Sequence, residues 1–159
     1  ECLLMPAEPT DLPSAGDIRL LSAIGFIAAG RGDLARAEAI FGALLSLRPH
    51  KAVGHVGVAM ALINRGRPAE AASRLAETVL SDTEENQMVR AVHGLALQLD
   101  RRPGEANRVL KAVAEAPSST SESTAGVRLA ASLLGTGSPA QAARMRAASV
   151  APTNPDGPT

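Results

Sequence analysis

Two stretches decide the fold: "GDLARAEAIF" (32–41) and "GRPAEAASRL" (66–75). Each reads glycine, four residues, alanine, three residues, then a large apolar side chain, and Gly32 and Gly66 stand 34 residues apart. A third copy, "RRPGEANRVL" (101–110), carries Arg101 in place of the glycine. A fourth, "GSPAQAARMR" (137–146), keeps Gly137 and Ala142 but has Arg146 at the large apolar position. The alanines Ala37, Ala71, Ala106 and Ala142 therefore follow one another at 34, 35 and 36 residues. Self-similarity at this period marks a supersecondary unit that cannot bury its apolar face alone and must stack on its neighbours.

The chain has 159 residues, enough for one domain or a short repeat array, and its 16 basic and 16 acidic residues cancel. No strongly basic face is expected, so nucleic-acid binding through counterion release is disfavoured. A single cysteine, Cys2, excludes an internal disulfide framework and a multi-cysteine metal site. The longest apolar-rich run, Leu20 to Gly30, is too short to span a bilayer, and "ECLLMPAEPTDLPS" lacks the basic-then-apolar order of a signal peptide. A soluble, cytoplasmic protein with no membrane insertion is expected. Alanine is abundant, Phe26 and Phe41 are the only aromatic residues, and apolar positions recur at three and four, so the chain reads as all-helical.

Local signals place the boundaries. Asp17 and Asp33 each precede a helical run as N-caps, and Asp82 with Glu85 resembles a capping box. Pro68, Pro103 and Pro139 sit just inside second helices, while Pro49 and Pro117 follow helix ends. The expected layout is a disordered arm over 1–15, three helix pairs over 16–116, a Ser/Thr-rich linker over 117–124, a divergent fourth pair or cap over 125–150 and a disordered tail over 151–159.

Few groups could carry chemistry. His50 falls in a turn, while His55 and His93 fall on inward-facing helix positions with no ligand-spaced Asp, Glu or Cys. The acids of "SDTEEN" (81–86) suit a helix N-terminus, and no phosphate-binding loop or nucleophile elbow is present. No enzyme, cofactor or metal is expected. Arg31-Gly32-Asp33 spells an integrin-binding tripeptide, but a turn glycine followed by a helix cap accounts for both of its last two residues.

The 34-residue period and its small and apolar positions resemble the tetratricopeptide repeat. Ile24-Gly25 stands at the family's Leu-Gly pair, Ala37 at its small residue, Phe41 at its aromatic and Pro49 at its terminal proline; the second unit has Val58-Ala59 and Thr83, the third His93-Gly94. Leu21, Ala28, His55 and Leu62 replace the family's Trp and Tyr. The resemblance implies a right-handed α-solenoid of about three helix pairs plus a capping pair, with first helices lining a concave groove. Counting from Ile18, Ala52 and Gln87, the groove positions are Arg19, Ser22, Phe26 and Ala29, then Val53, Val56, Met60 and Ile63, then Met88, Ala91, Leu95 and Gln98. Most are apolar, and Ser22/Phe26 and Val56/Met60 stand where arrays that clamp C-terminal carboxylates carry Lys and Asn. Arg19 and Asn64 are expected to fix a partner's register at the edges. The alternative is that these residues pack under the N-terminal arm or within the core.

Beginning at residues 41–71 and extending over roughly residues 18–115, the sequence is similar to the small tetratricopeptide chaperones of bacterial type III secretion, the YscY-type assembly chaperones above all. The shared features are Ala43-Leu44-Leu45, Leu47, Pro49, Gly54, Ala61-Leu62 and Asn64. That resemblance implies a cytoplasmic chaperone holding a secreted apparatus, needle or translocator subunit before export, with the export gate and a second copy of the chain as further partners. The rival expectation is a general tetratricopeptide adaptor.

Overall fold

The structure, a computed structural model, describes residues 13–116 and 124–135. Among these residues seven helices follow in order: α1 (Ala15–Gly30), α2 (Leu34–Leu47), α3 (Ala52–Asn64), α4 (Pro68–Ala76), α5 (Thr83–Leu99), α6 (Pro103–Ala114) and α7 (Ala125–Leu133). There is no strand among the described residues. The expected arm up to residue 12, the linker over 117–123, and the fourth unit and tail from 136 onward lie outside the described residues. So do Pro117, Gly137, Pro139, Ala142 and Arg146.

The helices pair as α1/α2, α3/α4 and α5/α6, and each first helix also packs on the first helix of the next unit, through α7. This is an α-solenoid of helix pairs. Each pair turns the same way. Gly32 and Gly66 hold φ of +72° and +74°, a region open to glycine because it lacks Cβ. Their N–H groups donate to Ala29 and Ile63, and the next residues, Asp33 and Arg67, reach back to Ala28 and Leu62. These bonds satisfy carbonyls that a helix end leaves without partners. Arg101 makes the same turn at φ +60°, with Arg101 and Arg102 donating to Gln98 and Leu97. The repeat geometry thus forces a side chain into a conformation it disfavours. After α7, Gly135 holds φ +70°, 34 residues after Arg101, while the turn expected at Gly137 lies outside the described residues.

Two capping expectations need correction. The N-cap of α1 is Ser14, and Asp17 is the third helical residue: Asp17 N–H donates to Ser14 Oγ (3.2 Å) while Asp17 Oδ2 accepts from Ser14 N–H (2.9 Å) and Oγ–H (2.7 Å). This reciprocal box holds the Asp17 carboxyl below its ordinary pKa, the Ser14 hydroxyl contributing most. The helices α1 and α5 begin three and four residues before Ile18 and Gln87. At α5, Asp82 Oδ1 does accept from Glu85 N–H (3.0 Å), but the Glu85 carboxylate is used elsewhere. Asp33 caps α2 as expected, accepting from Arg36 N–H at 3.1 Å, and Pro68 and Pro103 open α4 and α6.

The core explains the small residues. Phe41 is fully buried between α1 and α3. A Cβ on Gly25 would lie 2.8 Å from its ring, and one on Gly57 only 2.3 Å. Gly54 and Gly94 likewise make room for Leu45 and Leu110. Ala37, Ala71 and Ala106 are fully buried at equivalent points of the three second helices. Helices that approach this closely tolerate no larger side chain at the crossing.

Candidate partner-binding groove

The first helices α1, α3, α5 and α7 lie side by side, and their exposed edges meet in a cleft of about 400 Å³. Phe26 of α1, Val53 and Val56 of α3 and Met88 of α5 line it, together with Ala52, Glu84, Glu85, Thr124, Ala125 and Gly126. Phe26 stands half out of the surface, its ring edge-on to Phe41 with centroids 4.9 Å apart and planes at 62°. Four of the side chains expected in a groove therefore converge on one apolar cavity.

The remaining expected groove residues fall elsewhere. Met60 and Ile63 are half-buried against the core, and Leu95 is half-buried on α5. Arg19 is exposed, and the Ser22 hydroxyl donates to Ile18 O at 2.7 Å within α1. Asn64 Nδ2 donates to Ala29 O at 3.0 Å, tying the end of α3 to that of α1. Ala29 is buried. Ala91 is fully buried, so it cannot meet a partner. The reason is α7, whose Val127 and Ala130 pack over Ala91. Gln98 is also taken, donating to Leu133 O at 3.2 Å. At the other end of α7, Thr124 Oγ–H donates to the buried Gln87 Oε1 at 2.5 Å. A Cβ on Gly126 would lie 2.6 Å from the α5 backbone, so the two helices touch main chain to side. No local pattern in the sequence signals how closely α7 sits on α5.

Glu85 is the cleft-lining side chain whose structural role its own segment does not reveal. Lys51 precedes α3 without capping it; Glu85 Oε2 instead accepts from Ala52 N–H (2.6 Å), and Oε1 pairs with Lys51 Nζ (2.9 Å). A carboxylate from the next unit thus occupies the positive end of α3. The Lys51 amine is held above its ordinary pKa, chiefly by that hydrogen bond. Glu84, beside it on the cleft wall, stays exposed.

Away from the cleft, His93 is half-buried near Arg90, Glu105 and Arg108. Its pKa is lowered, first by burial and then by Arg90 and Arg102, against an opposing pull from Glu105. His55 Nε2 lies 3.1 Å from Pro49 O, and His50 is exposed in the turn. Among the described residues no three of His, Cys, Asp and Glu come together as a metal site, and no helix is long and apolar enough to cross a membrane.

Stacked helix pairs in this order define a helical repeat protein. Residues 28–95 match the family model described as tetratricopeptide repeat, and with the helix-pair geometry this supports a tetratricopeptide protein. No curated protein and no solved structure matches the chain.

Proposed function

We propose that this chain is a non-enzymatic adaptor that binds a protein segment in the cleft between its first helices. The observation that carries this is the convergence of Phe26, Val53, Val56 and Met88 on one open cavity of about 400 Å³. Apolar side chains that line an open concave surface favour a partner that covers them, and a thioether repacks readily around different shapes. A fitting partner brings an apolar helical or extended face, flanked by Lys or Arg to meet Glu84.

A narrower version makes the protein a bacterial cytoplasmic chaperone that holds a type III secretion subunit before export; it rests on the resemblance of residues 41–71. The general adaptor has the broader support, because the tetratricopeptide match speaks for protein binding and nothing more specific. Both are tested by affinity capture from the native cell with mass spectrometry, comparing the natural chain with Val56→Glu and Met88→Glu. The expected result is a partner lost in both variants while circular dichroism stays helical. A small secreted helical subunit as that partner would favour the narrower version. Partners retained at full yield by both variants would overturn the cleft as the binding site.

A further inference from the structure

One apolar face of the solenoid is left outside the cleft. On α1, Leu20, Ile24 and Ile27 are 62%, 42% and 56% exposed, at helical spacing three and four apart. Their repeat equivalents on α3 are Gly54, Val58 and Ala61, all buried beneath the preceding unit. On α5 they are Val89, His93 and Ala96, of which only His93 is more than slightly exposed. The face is therefore the one that each later first helix turns toward a neighbour. It is also built differently: where α3 receives its neighbour with Gly, Val and Ala, α1 projects a Leu and two Ile. Bulky side chains suit mutual interlocking better than reception of a large residue such as Phe41.

We infer that this face pairs with the same face of a second copy, α1 against α1 in antiparallel order. The seam reads Asp17, Leu20, Ile24, Ile27, Arg31, a spacing of three, four, three and four that keeps one stripe turned to a partner helix. With a two-fold axis at Ile24, Leu20 meets Ile27 of the other copy, and Asp17 meets Arg31 at both ends. The reverse, parallel order would set Asp17 against Asp17 and Arg31 against Arg31. Arg31 is exposed, and both Ser14 donors to Asp17 meet Oδ2, which turns the box's contacts to one oxygen of the carboxylate. The interface is isologous and leaves Phe26 and the cleft open. One helix pair buries less than the roughly 1,200–2,000 Å² of a stable complex, so the dimer depends on concentration.

Light scattering on the full chain tests this. The mass should rise from 16.2 kDa toward twice that value between about 1 and 100 µM, the range expected for a small interface. Ile24→Asp should hold it at one chain. Arg31→Glu and Asp17→Lys should each weaken the dimer at least tenfold alone, and an equimolar mixture of the two should restore it, because opposite charges then meet at both ends. If Asp17→Lys loses helix through its cap, Ile24→Cys in a Cys2→Ser background replaces it and should cross-link two chains on oxidation. A chain that stays monomeric throughout would show that no second copy covers the face. A dimer indifferent to Ile24→Asp would place the contact elsewhere. Either result overturns the proposal.

Discussion

Gly57→Ala should destabilise this protein, although alanine is the better helix former. Gly57 lies inside α3, where the exchange alone is worth about 1 kcal/mol in favour of alanine. The new Cβ would stand 2.3 Å from Cδ1, Cε1 and Cζ of Phe41. That ring is fully buried and has nowhere to retreat: Gly25 of α1 already approaches so closely that its own Cβ would lie 2.8 Å away. Overpacking of a rigid core costs about 1–3 kcal/mol, and three close ring contacts place this case near the top. The net loss is about 2 kcal/mol, or roughly 4–8 °C in Tm for a chain of this size. Gly42→Ala is the paired control, since Gly42 sits within α2 with nothing inside 4 Å of its added Cβ. It should gain about 0.5–1 kcal/mol from propensity alone. Thermal and urea unfolding followed by circular dichroism would measure both. A Gly57→Ala variant that melts at or above the natural chain would refute the seating of Phe41 between α1 and α3.

Arg101→Gly should raise stability by about 1 kcal/mol, because it relieves a left-handed side-chain conformation at φ +60°; an unchanged melting curve would count against a strained third turn. Glu85→Ala removes the cap on Ala52 N–H and should cost about 1 kcal/mol, with faster amide exchange at the start of α3. Glu84→Ala, which keeps that bond, should not speed exchange there. His93 resists protonation when folded, whereas the unfolded chain takes up a proton below about pH 6.5. Stability should therefore fall as pH drops from 7 to 5, and His93→Gln should flatten that part of the profile. An acid-side slope equal to that of the natural chain would assign the effect to other groups.

The glycine-to-alanine repeat, the prolines at second-helix starts and the cap at Asp33 were all legible in the sequence, because each acts within one or two turns of chain. Phe26, Val53, Val56 and Met88 were also named as groove positions, through the resemblance to tetratricopeptide arrays. Asp17 was misplaced by one turn: a Ser three residues earlier competes for the same role, and an aspartate can serve as either half of the box.

By itself the sequence determined the helical period, the turns and the small residues at crossings, for these follow from backbone sterics and spacing. Tertiary structure alone decided which apolar residues remain exposed. Ala91 looked like groove until α7 packed over it, and Leu20, Ile24 and Ile27 are exposed because no preceding helix covers them among the described residues. Glu85 became the cap of a helix that starts 33 residues before it. Exposure and charge pairing across units depend on what arrives from some thirty-five residues away, and no local pattern encodes that distance.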